Sequence, residues 1–187
     1  MKEEKETKKH WNVLKRTTRL KGNWMDYNCD KVLLPDGKTI DYEAIKYHHA
    51  GVGGVAENDK KEIILVKNYR YISDFTGWEV PSGTIPENQY PSDCIIQELK
   101  EEAGCEVKLE SLYYIGNFYP SIGSSNQIFH GYHVKNVKQD FSHTDTNEIL
   151  ETKWFTKEEI KKMIKTGEIK DGFSLNLLMR VLLESEQ

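Results

Sequence analysis

Three glutamates, Glu98, Glu101 and Glu102, stand at i, i+3 and i+4 in a segment closed by Gly104. On a helix this spacing puts three carboxylates on one stripe, where neighbouring pairs in water repel by about 0.2–0.5 kcal/mol each. Something must compensate that repulsion. Ile95, Ile96, Leu99 and Ala103 fall on an adjacent stripe, so such a helix buries an apolar face with Glu98 and Glu102 along its edge. Half-buried, converging carboxylates form the ligand set of a hard divalent cation such as Mg2+, which takes oxygen ligands and keeps several waters. The plainer alternative is a solvated acidic face, and for an isolated Glu-x-x-Glu-Glu it is the commoner one.

The helix must be held at both ends. Ser92 or Asp93 can accept from its first free N–H groups, Pro91 lies just outside, and Gly104 tolerates the left-handed conformation that ends a helix. Trp78 to Gly83 reads as a strand leading into it, so that loop carbonyls and helix carboxylates aim at one point.

The segment 83–105 resembles the Nudix box, G-x5-E-x7-R-E-U-x-E-E-x-G-U, in which U is a bulky apolar residue. Gly83, Glu98, Leu99, Glu101, Glu102, Gly104 and Cys105 match at their offsets, whereas Gln89 and Gln97 replace the usual Glu and Arg. The paired change removes one charge of each sign, as when an amide hydrogen bond replaces an ion pair. Val66-Lys67-Asn68-Tyr69-Arg70, Trp78-Glu79-Val80-Pro81-Ser82-Gly83 and Pro120 extend the likeness to the ADP-ribose pyrophosphatase branch of Nudix hydrolases, with Ser121-Ile122-Gly123 in place of Ser-Pro-Gly.

This resemblance implies a Nudix-type α/β/α sandwich and a division of labour among named residues. Glu98 and Glu102 would be the main Mg2+ ligands, with Mn2+ as a substitute. Glu101 would be a further or supporting ligand, and the Ser82 carbonyl would complete the set. Arg70 would pair with a phosphate, Glu79 would contact substrate or the metal-water network, and Glu148 would serve as catalytic base or additional ligand. Tyr42 would stack on the base from an N-terminal β domain swapped across a homodimer. The implied reaction is ADP-ribose plus water giving AMP and ribose 5-phosphate. Two alternatives stay open: hydrolysis of another nucleotide sugar or a dinucleotide, and an impaired Nudix domain that binds a nucleotide without cleaving it.

The rest of the sequence sets the bounds. Its 187 residues suit one domain with modest appendages, and a net charge of −4 offers no basic footprint for nucleic acid. No stretch approaches the roughly 20 apolar residues of a membrane span, and the first ten residues are charged rather than leader-like. Cys29, Cys94 and Cys105, without a C-x-x-C pattern, read as reduced thiols in a cytoplasmic protein. His130 and His133, three apart on a strand, point to opposite faces and do not make a metal site.

Along the chain, residues 1–9 form a Lys/Glu/Thr tail. Residues 10–49 form an antiparallel β subdomain around the Pro35-Asp36-Gly37-Lys38 turn, and residues 50–187 form the Nudix domain. The glycine-rich 50–55 fits no phosphate-loop pattern and reads as a closely packed strand, and Ile63 to Val66 as a buried one. Strands at 106–119 and 127–137 flank a polar loop, 145–148 is a second acidic loop, and Thr156 to Glu159 is a capping box whose helix ends at Gly167. A last helix over 174–184 packs through Leu175, Leu178, Met179 and Leu182. The fold class is α+β with a mixed sheet.

Overall fold

The computed structural model describes residues 10–140 and 149–184, which divide into two compact units. The first comprises residues 10–48 with 121–127, the second 49–120 with 128–140 and 149–184. The 1–9 tail and the 141–148 loop, including Glu148, lie outside the described residues.

The first unit is a three-stranded antiparallel sheet of β1 (Asn12–Lys21), β2 (Met25–Leu33) and β3 (Thr39–Tyr47), with β2 central. The antiparallel β subdomain expected over 10–49 is present, and its first strand, β1, has no pattern of its own in the sequence. That strand has no apolar alternation, and nine of its ten residues are exposed. It is held by its register to β2 and by cross-strand pairs, among them Arg16 to Asp30 (2.6–3.2 Å) and Thr18 to Asn28 (2.8 Å). The segment 121–127, read as a plain connection, packs on this unit instead. Ile45 N–H donates to the Ser124 carbonyl, and Asn126 bonds both backbone groups of Tyr47.

The second unit is built on β4 (Gly51–Glu57), every residue of which is buried. Around it lie β5 (Ile63–Arg70), β6 (Phe75–Glu79), β7 (Ser82–Thr84), β9 (Leu112–Phe118), β10 (Phe129–Lys135) and β12 (Glu151–Phe155), while β8 (Cys105–Glu106) pairs with β11 (Lys138–Gln139). The path β12-β5-β4-β10-β9 is mixed, because β10 runs parallel to β4 and its other neighbours are antiparallel; β6 pairs with β5 and β7 with β4.

Alternation along β4 and β5 feeds two cores. Val52, Ala56, Ile64 and Val66 pack with Ile95, Leu99 and Ala103 of α1 (Pro91–Ala103). Val55, Ile63 and Leu65 pack with Ile160 and Met163 of α2 (Lys157–Thr166) and with Leu177, Leu178 and Val181 of α3 (Gly172–Glu184). The result is the α/β/α sandwich expected. A side chain at Gly53 would collide with Phe173 and one at Gly54 would crowd Ile95, which is why 51–55 is a packed strand.

The helix ends differ in part from expectation. Thr156 and Glu159 form the capping box, and Gly167 closes α2 in the left-handed conformation. For α1, Pro91 is the first helical residue rather than an outside neighbour, and Tyr90 caps it without a side-chain bond. In α3 the buried stripe is Phe173, Ser174, Leu177, Leu178, Val181 and Leu182, while Met179 is exposed.

Where β4 and β10 end, Glu57 and His133 are both buried. Lys157 Nζ lies 2.8 Å and Lys61 Nζ 3.4 Å from the Glu57 carboxylate, with His133 Nε2 at 3.8 Å. Burial pushes Glu57 up, but these cations hold it below its ordinary value. Burial holds His133 below its own, against the pull of Glu57. Between the depressed value and 6.5 the unfolded chain binds a proton at His133 that the folded chain refuses, so the His133 contribution to stability is full above pH 6.5 and falls with pH below it. Urea unfolding at pH 7.5 and 5.5 isolates this contribution as a difference between proteins: His133→Gln is expected to gain stability relative to the wild type as pH falls. Equal pH dependence in both proteins would exclude His133 as its source.

Candidate active site

Ser82 and Gly83, paired with Gly53 and Val52 at the start of the central strand, bring two helix carboxylates to one place. Ser82 N–H donates to Glu102 Oε2 at 2.8 Å. Glu98 lies so close to the Gly83 Cα that a Cβ there would stand 1.9 Å from Glu98 Oε1. The box glycine is thus required for space, whereas Gly104 is required for its φ of +64°.

Glu102 is the electrostatic extreme of the site. Burial pushes its carboxyl up to about 8, over the opposing Ser82 N–H, and Glu98 adds to the rise. Arg70 pulls the other way and Glu79 adds to the rise. A half-buried carboxyl near Glu98 and Glu79, with Arg70 opposing them, carries an excess of negative charge that a divalent cation would offset. Among the described residues no three His, Cys, Asp or Glu side chains already form a metal-holding group. Two carboxylates with the remainder left to water nevertheless suit an ion that retains its hydration.

Glu101 points elsewhere. It is exposed and accepts from Gln97 Nε2 at 2.9 Å. A side-chain amide hydrogen bond therefore stands at the Arg position of the box, donated by Gln97 to Glu101 along one helix face.

Arg70 and Glu79, both assigned to substrate from the sequence, are paired with each other. Arg70 Nε reaches Glu79 at 3.1 and 3.2 Å and Nη2 at 2.5 Å, and Glu79 is buried. Asn68 donates to the same carboxylate at 3.5 Å. The Arg70 fork supplies the opposite charge and the hydrogen bonds that a buried carboxylate at Glu79 requires. Tyr42 belongs to the first unit, where its ring meets Trp11 edge-on with centroids 5.6 Å apart and its hydroxyl donates to the Gly123 carbonyl.

Beside Ser82 and Gly83 opens a cleft of about 600 Å3, also lined by Arg70, Glu79, Phe75, Phe129, Lys170 and Asp171. The last two were not anticipated from the sequence. Asp171 caps α3, accepting from Ser174 N and Oγ at 2.7 Å, and Ser174 Oγ accepts from Val80 N–H at 3.0 Å. The cap of α3 is thereby tied to the approach to Ser82. The Asp-x-x-Ser spacing was the available signal.

A family model described as NUDIX domain matches residues 47–175, spanning the Ser82-Gly83 turn, the box helix and the cleft. The chain belongs to the NUDIX family. This Nudix domain is 30% identical over 153 residues to an ADP-ribose pyrophosphatase of Bacillus subtilis (strain 168), covering 81% of each chain. It is also 24% identical over 148 residues to the CMP-5'-(N-acetyl-N-hydroxy-3-aminopropyl)phosphonate hydrolase of Streptomyces rubellomurinus, covering 79% of this chain and 70% of the relative. A solved structure described as an ADP compounds hydrolase superposes with a TM-score of 0.80 over 91% of both chains at 14% identity, which establishes the Nudix fold. The protein is a Nudix pyrophosphohydrolase, of a family that generally works with divalent metal ions.

Proposed function

We propose that this Nudix hydrolase cleaves the pyrophosphate bond of ADP-ribose to AMP and ribose 5-phosphate with Mg2+, Mn2+ being a substitute. The observation that carries the reading is the junction of Glu98 and Glu102 on Ser82-Gly83, beside a cleft large enough for a nucleotide sugar. Its likeness to the Bacillus subtilis ADP-ribose pyrophosphatase supports the choice of substrate.

Glu98 and Glu102 hold the cation, with the Ser82 carbonyl, and with Glu101 once its bond to Gln97 is released. When bound, the ion neutralises pyrophosphate oxygens and makes water a competent nucleophile. The chain's own residues do the rest. Ser82 N–H fixes the Glu102 carboxylate, the Gly83 Cα leaves room for that of Glu98, and the Arg70–Glu79 pair stiffens the cleft wall. Glu148 takes the proton in this scheme.

The assembly in this reading is a homodimer. Trp11, Val13, Leu14, Leu20 and Trp24 are all 48% or more exposed on the first unit, an apolar surface that a second copy would cover. Sedimentation at twice the chain mass is the expected result, and a monomer at all concentrations would remove the dimer from the scheme. No described helix is long and apolar enough to cross a membrane. With Cys29, Cys94 and Cys105 all free thiols, we place the enzyme in the cytoplasm.

Product release from ADP-ribose and a panel of other nucleoside diphosphate sugars tests the substrate. ADP-ribose is expected to give the highest kcat/KM. A higher value for another sugar nucleotide would keep the chemistry and replace the substrate.

A further inference from the structure

We infer that Lys170, rather than Arg70, is the side chain that binds the anionic part of the substrate in the cleft. The inference rests on the nucleotide-sugar reading above and assigns it a recognition residue. A pyrophosphate entering beside Ser82 and Gly83 meets two cationic side chains of the cleft wall, Arg70 and Lys170. Arg70 turns Nε and Nη2 to buried Glu79, so most of its fork already serves a carboxylate that needs it.

Lys170 is differently placed. Among the described residues no carboxylate lies within ion-pair distance of it, and Nζ stands over the Phe75 ring, 4.7 Å from its centroid. Its neighbour Asp171 is committed to Ser174, and Ile169 on the other side is buried in the core. The backbone is thus fixed on both sides while the side chain is exposed. An ammonium resting on an aromatic face keeps all three donors, and exchanging that weak contact for a phosphate oxygen costs little. Phe75 pairs with Arg70 across β5 and β6, so ring and guanidinium share one wall with the lysine above it.

The test uses ADP-ribose as probe in two assays: equilibrium binding with excess chelator, where no turnover interferes, and steady-state hydrolysis with Mg2+. Lys170→Gln is expected to weaken binding and raise KM about tenfold, the loss of one charge-assisted contact, with kcat within about twofold. Lys170→Arg is expected to recover most of both. Unchanged binding and KM in folded Lys170→Gln would overturn the inference and leave the hydrolase reading standing. A fall in kcat alone, or a loss that Lys170→Arg does not recover, would also overturn it by marking a structural role. Wild-type protein that neither binds nor cleaves ADP-ribose would refute the underlying substrate reading, and this inference with it.

Discussion

Glu102→Gln is expected to abolish metal-dependent hydrolysis, with kcat/KM falling by at least about 10²–10³-fold, the scale of losing one preorganised electrostatic contact in an active site. The fold should survive. Gln is nearly isosteric, its amide oxygen can still accept from Ser82 N–H, and a neutral group is favoured where burial already pushes the carboxyl up to about 8. The two effects separate in one preparation, with turnover lost in the metal assay and thermal unfolding unchanged or raised in chelator. Wild-type turnover in this variant would sink the assignment of Glu102 to the cation. Parallel loss of activity and stability would make it a structural residue.

Gly83→Ala should be nearly as damaging to catalysis, for a steric reason. The added methyl falls 1.9 Å from Glu98 Oε1, where no real contact exists, and the flexible carboxylate gives way rather than the strand. Displacing a reacting-site group by about 1 Å can cost on the order of 10²-fold in rate. Because the Gly83 φ lies outside the left-handed region, the backbone itself tolerates alanine. The expected signature is a fall of about 10²-fold in kcat with little change in the denaturation midpoint. A variant with full activity would mean that Glu98 need not occupy its place against Gly83. A large stability loss would mean that the strand, not the carboxylate, absorbs the clash.

Much of this site was legible because its signals are local. The i, i+3, i+4 glutamates, the apolar stripe through Leu99 and the closing Gly104 all report on one helix, and one helix is what they build. What crossed between elements was less visible. The pairing of Arg70 with Glu79 was not visible, because nothing in the sequence gives the hairpin register that sets Val66 opposite Glu79 and Arg70 opposite Phe75.

Lys170 and Asp171 sit in a turn some 70 residues beyond the box helix, without periodicity, and become part of the cleft only when α3 packs on the sheet. Strand β1 was hidden by its exposure, since a strand that buries nothing shows no alternation. The Tyr90 cap was missed because Ser92 and Asp93 are better cap residues than the backbone needed once Pro91 had fixed the first turn. Tyr42, chosen as an aromatic on a hairpin, has partners within its own unit.

In the proposed reaction this Nudix site hydrolyses ADP-ribose through a divalent cation held by Glu98 and Glu102. AMP release from ADP-ribose, measured with Mg2+ and again with excess chelator, tests it most directly. Stoichiometric AMP and ribose 5-phosphate are expected with the metal, and a return to background with the chelator. Equal AMP release in both would contradict the metal assignment, and no release from ADP-ribose in either, by protein that is folded and binds Mg2+, would contradict the substrate.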